Sequence, residues 1–211
     1  NFRTEIFYKK YNDLVKTEES GARAINNKGF GDAKGIEFFW RDTKSIPNFD
    51  YWISYSYLDT KRDFLNYPFA ITPSFSAKHT ASLVVKKFIT PLKTQFNASY
   101  TFASGRPYYN LMENSPGKVT INDQGKTVDF NSLSLSVNYL PFIGKKDSKS
   151  YTVIVLSLTN VLGANNVYGY NYSANGQNKV AELPQSKRFL YLGCFISLGI
   201  DRTEDAINNN L

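Results

Sequence analysis

Two tyrosine-rich segments carry the side chains best suited to contact a ligand. Tyr rings stack on sugars and peptides, and neighbouring Asn and Arg side chains add hydrogen bonds. Each segment lies between runs of alternating residues, so we expect both at strand exits. An aromatic rim with ordinary loop polarity is the alternative interpretation. The candidate ligand-binding residues are Arg106, Tyr108, Tyr109, Asn110, Tyr168, Tyr170, Asn171 and Tyr172.

The sequence offers little for catalysis. His79 is the only histidine, and no Asp or Ser stands at a recognisable triad spacing from it. The only cysteine, Cys194, lies in the apolar run LYLGCFISL, where we expect it to pack as a small hydrophobic residue. One His and one Cys cannot form a three-ligand metal cluster. We therefore predict no enzyme activity, no metal and no cofactor.

The glycine-rich segment GFGDAKG, residues 29–35, superficially resembles a phosphate-binding loop. It lacks the GK[ST] ending and precedes an alternating run typical of a strand, whereas a phosphate loop opens a helix. We interpret it as a loop that leads back into a sheet, with glycines that allow a tight backbone.

Period-two alternation of apolar and polar residues dominates the chain and predicts an all-β fold. In residues 130–140, for example, Leu133, Leu135 and Val137 alternate with Ser134 and Ser136. Eight strands are predicted, at residues 2–11, 35–43, 49–58, 79–89, 92–103, 130–140, 150–160 and 187–200.

The connections between these strands alternate in length. Short links at residues 43–48, 90–91 and 141–149 alternate with long ones at 12–34, 59–78, 104–129 and 161–186. Short turns on one edge and long loops on the other are typical of outer-membrane barrels, so we expect both termini on the short-turn side.

The two predicted faces favour a membrane barrel over a soluble sheet. The polar face carries small uncharged Ser, Thr and Asn side chains in mid-strand, which suits a wet interior opposite a lipid-facing apolar surface. No run of 18 apolar residues occurs, so a transmembrane helix is excluded. Aromatic residues expected at headgroup depth are Tyr8, Tyr11, Trp40, Tyr51, Trp52, Tyr57, Tyr139, Tyr151 and Tyr191.

The formal net charge of +7 falls on strand ends and turns and forms no basic block. No nucleic-acid-binding motif accompanies it, so we predict membrane lipid as a partner and no nucleic acid. We divide the chain into a transmembrane β-barrel segment, residues 1–200, and a polar C-terminal tail, residues 201–211. The predicted location is the cell outer membrane, crossed many times.

Three architectures are compatible with this pattern. Eight strands can close a small barrel with a structural or adhesion role, and a soluble β-sandwich binding module also uses alternating strands. A larger barrel fits better, because few charges face inwards in mid-strand; Arg3, Glu5, Glu37 and Arg41 are the candidates. The start of the chain within a strand agrees with a larger barrel.

Seven segments, taken in order, resemble the barrels of TonB-dependent receptors of Bacteroidetes. They are EIFYKKYNDLV, NKGFGDAKGIEFFW, YWISYSYLDTKRDF, AKHTASLVV, YTFASGRPYYN, LSLTNVLGANNVYGYNYS and RFLYLGCFISLGI. The resemblance runs along nearly the whole chain and implies the last eight strands of a 22-stranded barrel. One feature departs from the family: the polar tail DRTEDAINNNL follows the last strand, where many outer-membrane barrels end on an aromatic residue.

The resemblance implies a receptor that imports a scarce, bulky ligand. Family members carry a plug domain inside the barrel and are driven by the TonB–ExbB–ExbD complex, which contacts a segment before the plug. The implied partners are therefore the rest of the barrel, the plug, that complex through the plug region, and a surface lipoprotein as a further candidate. Siderophore, glycan, peptide and cobalamin are all candidate ligands.

Overall fold

The structure, a computed structural model, describes residues 1–20, 22–115, 118–145 and 150–199, and of residues 18–20 and 22–24 it describes the backbone alone. The tail predicted at residues 201–211 lies outside the described residues. A 3₁₀ turn at Thr90–Leu92 joins the fourth strand to the fifth. The strands are β1 (Phe2–Ser20), β2 (Ala22–Asp42), β3 (Phe49–Asp63), β4 (His79–Ile89), β5 (Thr94–Ala103), β6 (Pro107–Ser115), β7 (Lys118–Lys126), β8 (Phe130–Tyr139), β9 (Ser150–Thr159), β10 (Gly169–Tyr172), β11 (Lys179–Glu182) and β12 (Phe189–Leu198).

Eight of these strands form one antiparallel sheet in the order β1-β2-β3-β4-β5-β8-β9-β12. They correspond to the eight strands predicted from alternation, and each pairs with its neighbours in that prediction. The all-β antiparallel fold class is therefore confirmed. The predicted short links at residues 43–48 and 90–91 lie at one end of the sheet, and the long segments between its strands lie at the other.

The strand register separates an apolar face from a polar face across the sheet. Ile53, Leu83, Tyr100 and Leu133 are consecutive cross-strand partners on one face. One residue further along each strand, the partners are Ser and Thr, and the Ser54 hydroxyl lies 2.8 Å from a Ser hydroxyl on β4. Amide side chains continue this polar surface: Asn97 Nδ2 donates to Ser136 Oγ at 3.0 Å, and Asn138 Nδ2 donates to Gln95 Oε1 at 3.1 Å.

The apolar face has the height of a membrane-spanning strand. Along β3 its side chains run from Phe49 to Tyr57, about nine residues, which matches the ~9–11 residues that a tilted strand needs to cross a bilayer. Beyond Tyr57 the same face becomes charged, and Asp59 forms an exposed ion pair with Lys34 at 3.5 Å. The change from rings to charges marks the edge of the apolar band.

The first two strands are longer than predicted. β1 and β2 pair across residues 12–34, where the sequence predicted a loop, and β3 continues to Asp63. The glycine-rich segment 29–35 is accordingly part of β2, so its interpretation as a loop is wrong. The extension projects beyond the apolar band on the side of the long connections.

Neighbouring side chains cover the glycines of β2 and make this strand possible. Phe7 is the cross-strand partner of Gly35, and a Cβ on Gly35 would lie only 2.6 Å from Phe7 Cζ. Tyr11 and Arg62 flank Gly31 on either side, and the Arg62 guanidinium lies 4.2 Å from the Tyr11 ring centre. Rings packed over glycines compensate for the missing side chains, which explains why a glycine-rich segment stays in the sheet.

Two further hairpins lie within the predicted long connections. β6 pairs with β7 inside residues 104–129, and β10 pairs with β11 inside residues 161–186. Neither hairpin joins the eight-stranded sheet.

Four of the nine aromatic residues predicted at headgroup depth lie on the polar face of the sheet. They are Tyr11, Trp52, Tyr151 and Tyr191, as the register with polar-face partners shows. Tyr151 packs with Phe88, Leu140 and Ile143 in an apolar cluster at the short-link end. Parity decides the face of each ring, so position near a strand end alone was an insufficient criterion.

Both outermost strands of the described sheet are exposed on their two faces. On the apolar face, Ile6 of β1 is 79% exposed and Leu198 of β12 is 76% exposed; on the polar face, Arg3 of β1 is exposed and Phe195 of β12 is 55% exposed. Within the described ranges, β1 and β12 do not pair with each other.

Candidate functional site: a polar groove beneath two hairpins

The polar face forms a groove of about 580 Å³ at its long-connection end. Hydroxyl groups from β3, β4 and β5 line its wall together with Phe side chains from β2, β5 and β8, and the charged side chains of Arg3 and Glu37 reach it from β1 and β2. Two of the predicted ligand-binding residues, Arg106 and Tyr168, also line the groove. They come from different connections, so the fold brings the two predicted segments together at one site.

Arg106 stands at the base of the β6–β7 hairpin and is held by its backbone. Its N–H donates to Thr127 Oγ1 at 3.0 Å, and the Thr127 N–H donates back to the Arg106 carbonyl at 2.9 Å. The preceding Gly105 N–H donates to Asp129 Oδ1 at 2.8 Å. The exposed guanidinium is therefore mounted on a closed hairpin base beside the groove.

Tyr168 stands at the base of the β10–β11 hairpin in an equivalent position. Its N–H donates to the Glu182 carbonyl at 2.8 Å, and its ring stacks on Phe130 with centroids 6.4 Å apart. Asn166, just before it, donates to the Asn131 carbonyl at 2.9 Å and accepts from the Asn131 N–H at 3.0 Å. This side chain extends the β8 ladder by one rung and ties the segment to the wall.

Three of the predicted tyrosines surround a lysine that the sequence did not single out. The Lys179 ammonium lies 3.8, 4.4 and 5.9 Å from the ring centres of Tyr108, Tyr170 and Tyr172. It also donates to the Tyr108 hydroxyl and, at 3.1 Å, to Asp123 Oδ2. Tyr172 donates to the same carboxylate oxygen at 2.6 Å. We call these five residues the Lys179 cage.

The Lys179 cage perturbs the acidity of its members. Hydrogen bonding to Tyr108 and Asp123 raises the pKa of Lys179 above its ordinary value. Burial and the hydrogen bond to Asp123 raise the pKa of Tyr172 to about 12. The hydrogen bonds from Tyr172 and Lys179 lower the pKa of Asp123. At neutral pH the cage therefore contains an ammonium, a carboxylate and a protonated phenol.

The remaining predicted residues lie apart from the groove lining. Tyr109 donates to the Thr72 carbonyl at 3.0 Å, and its ring packs edge-on against Tyr67 at 5.9 Å. Burial raises the pKa of Tyr109. The buried Asn110 donates to the Gly176 carbonyl at 3.5 Å. Asn171 is exposed on β10, on the opposite parity from its caging neighbours.

Lys179 and Asp123 were absent from the predicted set, although one signal pointed to Lys179. Asn175-Gly176 is a typical hairpin turn, and a hairpin about it places Lys179 opposite Tyr172. Asp123 has no comparable signal, because the bulge of β7 opposite Asn110 and Leu111 shifts its register.

The described ranges contain no group of three His, Cys, Asp or Glu side chains placed to hold a metal ion. Within the same ranges, no helix is long and apolar enough to cross a bilayer. His79 begins β4, and its Nδ1 lies 2.8 Å from the Tyr55 hydroxyl.

Solved structures of outer-membrane proteins share the fold, including two from Escherichia coli. The outer membrane transporter YddB from Escherichia coli superposes with a TM-score of 0.68 at 13% identity, over 93% of this chain and 30% of its own. The ferric-catecholate import receptor Fiu from E. coli K12, in its closed form, superposes with a TM-score of 0.56 at 11% identity, over 93% of this chain and 25% of its own. No protein-family model matches the sequence, and the search of curated proteins found no match.

At these identities the likeness concerns the fold alone, which is that of an outer-membrane β-barrel wall. The chain spans less than a third of the length of either structure.

Proposed function

We propose that this chain forms part of the wall of an outer-membrane TonB-dependent receptor that imports a bulky ligand. The observation that carries the proposal is the eight-stranded sheet with an apolar face of bilayer height and, behind it, a polar face that carries mainly hydroxyl and amide side chains in mid-strand. A sheet between two aqueous phases gains nothing from rows of exposed Ile, Leu and Tyr side chains. Lipid outside and a wet interior explain both faces.

The unpaired edges support a barrel larger than these eight strands. Backbone N–H and C=O groups in hydrocarbon must all be hydrogen-bonded, so an open edge is costly in a membrane. β1 and β12 expose both faces and do not pair with each other within the described ranges. We infer that further strands cover both edges, as in a barrel of about 22 strands. The self-contained eight-stranded barrel lacks this support.

The polar groove supports a role in ligand passage. Its hydroxyl-rich wall, together with Arg106, Glu37 and Tyr168, offers donors, acceptors and a ring to a polar organic ligand. The proposed partners beyond lipid are the remaining strands, a plug domain in the interior, the TonB–ExbB–ExbD complex and a surface lipoprotein. In this proposal the wall has no catalytic role, and ligand identity depends on the other loops and the plug.

The intact mass of the native polypeptide is the first test. The protein is extracted in detergent from its own outer membrane and measured by mass spectrometry. Because the chain spans 25–30% of the two structures that share its fold, we expect a mass about three to four times 24.0 kDa. A native mass near 24.0 kDa would show that eight strands close alone, and the receptor proposal would fail.

Cysteine labelling tests the assignment of the two faces. Ser134 and Leu135 are neighbours on β8 with opposite parity, so each is replaced by Cys in a cysteine-free variant of the full-length protein that includes Cys194→Ser. A water-soluble maleimide should modify the cysteine at 134 and leave the one at 135 unmodified in intact membranes. Equal labelling at both positions would contradict the assignment of the Leu135 face to lipid, on which the proposal depends.

A further inference from the structure

We propose that Lys179 is a positioning residue, which latches the two outer hairpins together and so holds Arg106 and Tyr168 at the mouth of the groove. The latch is a property of the folded wall and its loops, so it goes beyond the proposed function and can be tested without a transported ligand.

The Lys179 cage joins the two hairpins across their interface. Tyr108 and Asp123 belong to the β6–β7 hairpin, whereas Tyr170, Tyr172 and Lys179 belong to the β10–β11 hairpin. The rings of Tyr108 and Tyr170 meet edge to face at 4.6 Å, and the ammonium lies over both. A cation over ring faces, with a carboxylate beside it, is a specific recognition geometry for an ammonium group.

A second contact between the hairpins is weaker and depends on close approach. Gly176, in the β10–β11 turn, adopts φ +69°, and its carbonyl accepts from Asn110 Nδ2 at 3.5 Å. A Cβ on Gly176 would lie 2.5 Å from Met112 Sδ. This contact permits docking, but it contains no charge and one long hydrogen bond. The Lys179 cage is therefore the stronger link.

The cage lies close along the chain to the groove-lining residues. Arg106 precedes Tyr108 by two residues, and Tyr168 precedes Tyr170 by two. Both groove-lining residues occupy the hairpin bases, and both hairpins lie outside the main sheet. Separation of the hairpins at the cage therefore moves Arg106 away from Tyr168 and widens the mouth of the groove.

Access to the groove measures the latch. Ser56, on the groove wall, is replaced by Cys in a cysteine-free variant of the full-length protein that includes Cys194→Ser, purified in detergent. The rate of reaction is measured with a bulky fluorescein maleimide and with small N-ethylmaleimide. We expect Lys179→Met to raise the bulky-reagent rate about fivefold, from the loss of a partly exposed cation–π contact, with little change for the small reagent.

Matched variants separate the latch from a general loss of structure. Lys179→Arg keeps a cation that can stack and bind a carboxylate, so it should restore the slow rate. Lys118→Met removes an exposed lysine at the start of β7 and should leave the rate unchanged. A Lys179→Met rate equal to the parent rate would overturn the proposal, as would an Arg variant as fast as the Met variant.

Two further experiments test the role of the Lys179 ammonium: chemical rescue of an alanine variant, and a variant that keeps the lysine. In Lys179→Ala, n-butylammonium should refill the cage and slow the bulky reagent, whereas n-butanol should have no effect. If the lysine variants fail to assemble, Asp123→Asn retains every ring and the ammonium and should still accelerate labelling. Unchanged labelling in Asp123→Asn would overturn the latch. A failed receptor proposal, by contrast, would leave these rates unaffected.

Discussion

The wall strands and the outer hairpins are built from the same residue types but are held together differently. The wall rests on continuous ladders, with side chains sorted by the solvent on each face. The two hairpins stand outside that sheet and meet mainly through the Lys179 cage. Stability in the wall is therefore distributed over many rows, whereas the position of the two hairpins relative to each other depends on a few side chains centred on Lys179.

Because of this difference, assembly of the barrel and access to the groove should depend on different residues. A substitution that places a charged side chain on the lipid-facing surface of the wall, or leaves a buried charge in the wall without its partner, should prevent folding in the membrane. The sheet closes only if its rows of strand pairs all form. A substitution in the cage should leave the barrel assembled and change only the groove mouth. The two regions can thus be distinguished by measuring folded protein and groove access in the same variants.

Two ion pairs give the sharpest contrast and the largest expected effect. In the wall, Arg41 donates to both oxygens of Asp50 at 2.9 and 2.7 Å, and Asp50 is fully buried. Arg41→Met removes both hydrogen bonds from that buried carboxylate, and each hydrogen bond to a charged group typically contributes about 1.5–3 kcal/mol. We expect little folded Arg41→Met protein in heat-modifiability gels of isolated outer membranes. Lys179→Met removes the exposed ion pair between the hairpins, and this variant should assemble at the parental level. If both variants lost the same amount of folded protein, the wall and the hairpins would not differ in this way.

Substitutions at two neighbouring positions on β8 test which face of the sheet contacts lipid and which contacts water. Leu133 lies in the apolar row with Tyr100, so Leu133→Arg places a charge in lipid, at a typical cost of about 2–4 kcal/mol near the midplane. Ser134→Arg, one residue along, enters the polar face and should assemble. The amount of heat-modifiable protein in the outer membrane measures both. Loss of assembly in Ser134→Arg alone would reverse the assignment of the faces.

Two glycines test how tightly each region is packed. A Cβ on Gly35 in β2 would lie 2.6 Å from Phe7 Cζ and closer still to the Tyr57 carbonyl, so backbone must move. Gly35→Ala should destabilise the wall by about 1–3 kcal/mol, the usual cost of overpacking. Gly169→Ala in β10 meets only Glu182 Oε2 at 3.4 Å and should be tolerated. Urea midpoints of the detergent-purified protein measure the difference.

The sequence predicted the wall well because alternation reports directly on two different solvents. Leu133, Leu135 and Val137 against Ser134 and Ser136 leave one register that satisfies both faces. The hairpins lie outside the sheet that separates two solvents, so their residues carry no comparable alternation, and β6, β7, β10 and β11 were predicted as loop. The glycine-rich part of β2 was missed because rings from other strands, invisible in its own sequence, cover it.

Only part of the candidate site could be predicted, because its arrangement also depends on contacts that the local sequence does not show. Tyrosine content marked both segments, yet the split between groove and cage depends on hairpin register. One residue separates Arg106 from Tyr108, and one separates Tyr168 from Tyr170. In each pair the first residue lines the groove and the second contacts Lys179. Their role in ligand binding stays a prediction.

The smallest expected effect is that of pH on the contact between the two hairpins. Lys179 has a raised pKa, so its contribution is complete below the ordinary lysine value of about 10.4 and is lost as pH rises through the higher folded value. Tyr172, with a pKa of about 12, acts in the same direction. Asp123 has a lowered pKa, so its contribution is present above its ordinary value and is lost as pH falls through the lower one.

Access to the groove should therefore be constant from about pH 5 to 9 and increase only outside that window. Labelling of the Ser56→Cys protein with a bulky haloacetamide, corrected with a free thiol control for thiolate ionisation, measures this profile. The Lys179→Arg variant should extend the closed range further into alkali, since a guanidinium does not titrate there. A step in access near neutral pH would require a different titrating group and would contradict the cage as the element that holds the hairpins.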